Sequence, residues 1–224
     1  MNKIKYVVTS GCSFSDGACM SNDKSDRLKY RFSKILADGL SAQDINLAKS
    51  GGSNDRAFRK IYEWIQENPK KMKYTLFLIG FTNLHRKDLY FDYEKRWIGY
   101  SKLGSVELNH FYKNVDKKMI KTWNDIEYGY FYSDDIEKEK LFMKADLLQT
   151  YVKSLNSNII YFYALTNPKM IKALNNLDER LNWYKPGGHN YWGKYIKEYR
   201  SYSGGHPNKE YHIKLGKDLV KTYG

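Results

Sequence analysis

The sequence has little cysteine and no long hydrophobic run. Its two cysteines, Cys12 and Cys19, are too few for a disulfide framework, and no second Cys or His pair stands at zinc-ligand spacing. We therefore expect free thiols in a reducing compartment. No stretch approaches the ~18 apolar residues of a membrane helix, and the apolar run after Met1 is too short for a signal peptide. These absences predict a cytoplasmic protein without a membrane segment.

Positive charge is in excess. Lys and Arg number 38 against 25 Asp and Glu, which gives a formal net charge of +13. A basic chain can attract nucleic acid or another polyanion. The lysines are spread along the sequence rather than gathered in a basic arm, so nucleic acid is a candidate partner that we do not favour.

The hydrophobic pattern predicts strands alternating with helices. Residues 74–81 and 158–165 are nearly continuous apolar runs, which is typical of strands buried on both faces of a parallel sheet. Shorter strands are predicted over 3–9 and 45–48. Helices are predicted over 27–40, from a cap at Asn54, over 136–155 and over 209–223. This alternation predicts one α/β domain, residues 1–224, with a central parallel sheet.

Two segments interrupt the alternation. Residues 85–135 are rich in Tyr, Trp and Lys, and residues 167–203 are rich in Tyr, Trp, Gly and Asn. Each is too long for a plain loop, so we expect two insertions. Both follow predicted strand ends, where α/β sheets place ligand sites. Their aromatic rings suit sugars or nucleobases, and equally suit a small core beneath long loops.

A serine follows the first predicted strand, in residues 11–15 (Gly-Cys-Ser-Phe-Ser). Ser13 at a strand end can act as a nucleophile if a base removes its proton, or it can be a turn residue or helix cap. Cys12 is a second candidate nucleophile, although a cysteine after a strand more commonly serves packing.

A histidine lies near the other end of the chain, in residues 203–208 (Ser-Gly-Gly-His-Pro-Asn). His206 can serve as general base toward Ser13 and then as general acid to the leaving group. The alternative is a surface histidine beside the start of the last helix.

Two further turns offer hydrogen-bond donors. Gly51, in the Ser-Gly-Gly-Ser turn, can present a backbone N–H, and Asn83, after the buried strand, can present a side-chain amide. Such donors stabilise an oxyanion. Both segments can equally be plain turns.

In this order the four segments resemble the SGNH (GDSL-like) hydrolase family. Residues 11–13 match its Gly-Asp-Ser-like first block with Cys in place of Asp. Residues 46–51 match the second block, and residues 80–83 match Gly-x-Asn with one extra residue. Residues 203–207 match the final Asp-x-x-His-Pro with Ser in place of Asp. The resemblance implies a flavodoxin-like three-layer α/β/α sandwich.

The resemblance also implies an activity. Ser13 would attack the acyl carbon and His206 would be the base, while the Ser13 N–H, the Gly51 N–H and the Asn83 side chain would form the oxyanion hole. The expected enzyme is a serine esterase or deacylase. Its substrate would be an acyl ester, commonly O-acetyl, of a carbohydrate or small molecule. No metal and no organic cofactor are implied.

Ser203 stands where the family has the acid that orients the histidine. A Ser–His dyad, an acid from elsewhere such as Asp16, and a binding protein that has lost catalysis all remain open. That binding protein would take nucleic acid or another polyanion. Asn54 and Arg86 are further candidates for contacting or orienting the substrate. The sequence does not separate hydrolysis from acyl transfer.

Overall fold

The computed structural model describes residues 3–18, 20–21, 23–91, 95–101, 122, 125–164, 181–183 and 206–224. The strands are β1 (Tyr6–Ser10), β2 (Gln43–Asn46), β3 (Thr75–Phe81), β4 (Arg86–Phe91), β5 (Arg96–Ser101) and β6 (Asn158–Tyr163). The α-helices are α1 (Ser13–Asp16), α2 (Lys24–Tyr30), α3 (Phe32–Gly39), α4 (Asn54–Glu67), α5 (Asp134–Ser154) and α6 (Lys209–Tyr223). A 3-10 helix (Pro69–Tyr74) precedes β3, and a π-helix (Glu127–Phe131) precedes α5.

Four strands form one parallel sheet in the order β2-β1-β3-β6. All residues of β3 are buried, as the continuous apolar run predicts. Side chains alternate along β3, so Phe77 packs with α4 and α5 on one face, while Leu78 packs with α3 and α6 on the other. The predicted α/β class, with a central parallel sheet between helices, is confirmed.

Two local predictions are wrong in detail. The helix expected over 27–40 is two helices, because Arg31 adopts an extended ψ of 141° between α2 and α3. The Arg31 guanidinium forms an ion pair of 2.7 Å with the buried carboxylate of Asp44 on β2. The predicted cap of α4 also moves by one residue. Ser53 accepts from the Arg56 N–H at 3.0 Å, and Asn54 is the first residue of the helix.

Part of the first predicted insertion forms an antiparallel hairpin, β4–β5, outside the main sheet. Asp88 on β4 is held by α4, since Arg59 binds its carboxylate at 2.6 Å and the Ser53 hydroxyl donates to it at 3.1 Å. The Arg59 guanidinium also lies 4.4 Å from the ring centroid of Trp97 on β5. Most of the second predicted insertion, together with Cys19, lies outside the described residues. Within those residues, none of the helices has the length and apolar character that crossing a membrane requires.

Gly80, near the carboxyl end of β3, is closely packed between Ser15 of α1 and Phe162 of β6. A Cβ at Gly80 would lie 2.4 Å from Ser15 Oγ and 2.5 Å from a ring carbon of Phe162. Gly80→Ala must push these buried groups apart, so we expect the free energy of unfolding to fall by ~1–3 kcal/mol, measured by urea denaturation. Gly129→Ala is the control, because a Cβ there meets none of the described residues within 4 Å. Equal losses in the two variants would contradict this packing.

Candidate active site

Ser13 and His206 are in contact at the carboxyl edge of the sheet. Ser13 Oγ lies 2.9 Å from His206 Nε2, although the two residues are 193 positions apart in the chain. This separation is a normal hydrogen-bond distance. When Nε2 carries no proton, the Ser13 hydroxyl donates to it. The arrangement allows the imidazole to remove the hydroxyl proton.

The backbone around Ser13 explains how the hydroxyl reaches this edge. β1 ends at Ser10, and Gly11 turns the chain with a φ of +146°, a conformation that favours glycine. The short helix α1 then begins at Ser13, which is only 6% exposed. Cys12 is fully buried in the core cluster beneath α3 and α6. This burial favours a packing role for the thiol.

The His206 ring is held by its surroundings. It packs beside the Phe14 ring, with centroids 5.0 Å apart, and its Nδ1 is buried. Two residues later, Asn208 caps α6 by accepting from the Tyr211 N–H at 3.0 Å. The helix start is therefore fixed independently of the histidine ring.

The turn that carries Gly51 is bonded to the turn before Ser13. The Lys49 N–H donates to the Gly11 carbonyl at 3.2 Å, and the Gly52 N–H closes the turn onto the Lys49 carbonyl at 2.9 Å. Gly51 has a φ of +77°, and none of the described residues lies within 4 Å of a Cβ built there. These bonds bring the second predicted segment beside the first.

The third predicted segment is held through Thr82. Asn54 is 7% exposed and forms two hydrogen bonds to the Thr82 backbone. Arg86 donates to Thr82 Oγ1 at 2.9 Å. Asn83 follows directly and is partly buried. Arg86 and Asn54, both predicted to contact or orient substrate, thus make contacts to the residue that precedes Asn83.

Asp16, the relocated acid considered above, has other partners. Its carboxylate pairs with Arg27 at 2.8 Å and accepts from the Ser50 hydroxyl at 3.4 Å. Ser203 lies outside the described residues. Within the described part of the chain, no three His, Cys, Asp or Glu side chains are grouped as metal ligands would be.

His212 is a buried neighbour that the sequence did not single out as functional. It is completely inaccessible to solvent, stacks on Phe32 with a centroid distance of 5.9 Å, and accepts from the Phe32 N–H at 3.4 Å. Burial lowers the pKa of His212 to about 3, and the nearby His206 adds to this effect. His212 is therefore neutral at physiological pH.

The comparisons with known proteins add a family and a fold. The model of a family of unknown function, DUF6071, matches residues 19–179. The chain belongs to this family. The DUF6071 match includes Gly51 and Asn83 but neither Ser13 nor His206. No curated protein matches the sequence.

Solved structures resemble the DUF6071 chain over nearly all its length. TesA matches with a TM-score of 0.54 and 11% identity, covering 97% of both chains. An acetyl xylan esterase, Est2A from Butyrivibrio proteoclasticus, matches with a TM-score of 0.51 and 10% identity. The match covers 97% of this chain and 63% of the Est2A chain. A protein described as a GDSL-like lipase from Parabacteroides merdae matches with a TM-score of 0.50 and 13% identity. The match covers 99% of this chain and 97% of the lipase chain. The prediction of an SGNH-like fold is confirmed.

The buried His212 should make the free energy of unfolding depend on pH. Because its pKa is depressed in the folded state, the unfolded chain binds the proton more tightly, and this contribution to stability is lost as the pH falls below ~6.5. We expect it to lower the free energy of unfolding by about 2 kcal/mol between pH 7 and pH 5. Urea denaturation at both pH values measures this loss.

His212→Asn should make that pH dependence shallower, whatever its effect on absolute stability. His206→Asn leaves His212 in place and should keep most of the dependence. If the loss between pH 7 and pH 5 is the same in wild type and His212→Asn, the buried histidine is not its source.

Proposed function

We propose that this protein is a serine esterase or deacylase of SGNH type. Its substrate class is an acyl ester, in particular an O-acetyl ester, of a carbohydrate or small molecule. The observation that carries the proposal is the 2.9 Å contact between Ser13 Oγ and His206 Nε2. The fold shared with an acetyl xylan esterase supports the substrate class.

The first half of the reaction makes an acyl-enzyme. His206 Nε2 takes the hydroxyl proton while Ser13 Oγ bonds to the acyl carbon, which gives a tetrahedral oxyanion. The imidazolium then donates its proton to the alkoxide as the carbon–oxygen bond breaks. Water repeats the same steps in the second half, which releases the acid and restores Ser13.

The oxyanion needs donors that are already in position. In the proposal these are the Ser13 N–H, the Gly51 N–H and the Asn83 side chain. The bonds that tie the Gly51 turn to Gly11 and the Asn83 segment to α4 support this assignment. Because Ser13 is buried, such hydrogen bonds act in a medium of low dielectric constant and are stronger than in water.

The proposed form of the site is a Ser–His dyad, and the contacts of Asp16 argue against this residue as its acid. Asp16 is engaged by Arg27, so it is less suited to orient His206. The Phe14 ring and the burial of Nδ1 restrict how the imidazole can turn. In the proposed mechanism this packing performs part of the orienting work of the acid that Ser203 replaces.

Ser13→Ala should reduce kcat/KM by at least ~10³-fold, because it removes the nucleophile. Hydrolysis of p-nitrophenyl acetate and of an acetylated carbohydrate panel measures this loss. Cys12→Ala is the control for the other candidate nucleophile and should retain activity. Equal wild-type and Ser13→Ala rates across the ester panel would overturn the proposal.

Ser13 and His206 should act as one unit. We expect His206→Ala to lose activity to a similar extent, and Ser13→Ala/His206→Ala to be no worse than the more damaging single variant. The comparison uses kcat/KM for the three variants on one ester. Independent, multiplicative losses would show that the two residues do not share a step.

A further inference from the structure

We infer that Asn54 is a positioning residue for the oxyanion hole. Its side-chain amide holds the backbone of Thr82, and so fixes the place from which Asn83 presents its own amide. The inference rests on the proposed function, because it concerns a donor in that reaction. In this role Asn54 acts on the reaction through the position of Asn83 and does not itself contact the substrate.

The geometry is a two-bond pairing. Asn54 Oδ1 accepts from the Thr82 N–H at 2.8 Å, and Asn54 Nδ2 donates to the Thr82 carbonyl at 3.1 Å. Thr82 is completely buried, so both backbone groups need partners within the protein. The planar side-chain amide of Asn54 therefore satisfies both backbone polar groups of Thr82.

The sheet explains why a side chain takes this place. On the β6 side, the Ala164 N–H donates to the Phe81 carbonyl at 2.9 Å. Thr82, the first residue after β3, instead makes both of its backbone hydrogen bonds with the Asn54 side chain. The pairing between β1 and β3 stops at Ser10 and Ile79, before Thr82. Beyond the last β1–β3 pair, Asn54 therefore supplies the backbone partners of Thr82.

Asn54 also connects the segments that carry two of the predicted oxyanion donors, Gly51 and Asn83. It lies three residues after Gly51, on a helix start that Ser53 caps. Thr82 is held from a second direction by Arg86, which donates to its hydroxyl at 2.9 Å. Asn83 thus follows a residue whose backbone and side chain are both fixed.

This arrangement has a measurable consequence. An oxyanion donor must lie about 2.7–3.1 Å from the developing charge, and a shift of ~1 Å can cost on the order of 10²-fold in rate. Without Asn54, the buried Thr82 groups must find new partners, and Asn83 moves with them. Since the donor acts on the transition state, kcat should fall while KM changes little.

The test is a double-mutant cycle. Asn54→Ala should lower kcat ~10–100-fold when Asn83 is present, and by less than ~3-fold in an Asn83→Ala background. A purely structural role would give the same fold-loss in both backgrounds. Asn68→Ala is the matched control. Asn68 donates to the Trp64 carbonyl at 2.9 Å at the other end of α4. The Asn68→Ala substitution therefore removes a similar hydrogen bond and should leave kcat unchanged.

The outcomes separate the two proposals. If wild-type protein hydrolyses no ester in the panel, the proposed function is overturned and this inference with it. If wild type is active but Asn54→Ala keeps its kcat, or loses the same factor without Asn83, only the inference is overturned. Loss of kcat that depends on Asn83, at a KM within ~3-fold of wild type, supports it.

Discussion

The parallel pairing of β1 with β3 determines where the site can form. Their register joins Ser10 to Ile79, so the chain leaves β1 beside Gly80 while β3 continues to Phe81. Ser15 Oγ fits between the two strand ends, and a Cβ at either Gly11 or Gly80 would lie 2.4 Å from it. This close approach places the turn before Ser13 against the end of β3.

The unequal lengths of β1 and β3 create the second feature of the site. Thr82 directly follows β3, beyond the residues that pair with β1, and Asn54 in the first turn of α4 supplies its hydrogen-bond partner. The same turn of α4 holds the β4–β5 hairpin through Ser53 and Asp88. The start of α4 therefore connects the sheet edge, the Gly51 turn and the β4–β5 hairpin.

The sequence predicts best where one local pattern is sufficient. Continuous apolar runs locate β3 and β6, and helical spacing finds α6 with the observed bounds. The break between α2 and α3 falls at Arg31, whose guanidinium pairs with Asp44 on β2, a contact that no local pattern reveals. Leu28 belongs to the apolar spacing on which the predicted helix over 27–40 is based, yet it is 62% exposed.

At the candidate site too, local sequence patterns predict some features, while contacts between distant segments decide the others. The order of the motifs suggested that Ser13 and His206 meet, but no local pattern gives their distance. Ser53 and Asn54 are equally suited to cap a helix by residue type. In the structure Ser53 makes the capping bond, while Asn54 bonds to Thr82 on a distant segment. His212 gives no sequence signal, because its neutral state depends on burial by distant segments.

The neutral state of His212 matters for the proposed chemistry. His206 must become positively charged when it takes the Ser13 proton, and a second positive charge nearby would oppose that step. Burial lowers the pKa of His212 to about 3, so its ring adds no positive charge near neutral pH. The packing of Phe32 and α6 around His212, from which we expect the acid sensitivity of the fold, would therefore also keep a second positive charge away from the proposed base. The expected acid sensitivity of the fold and the function proposed for the sheet edge would then depend on the same buried ring.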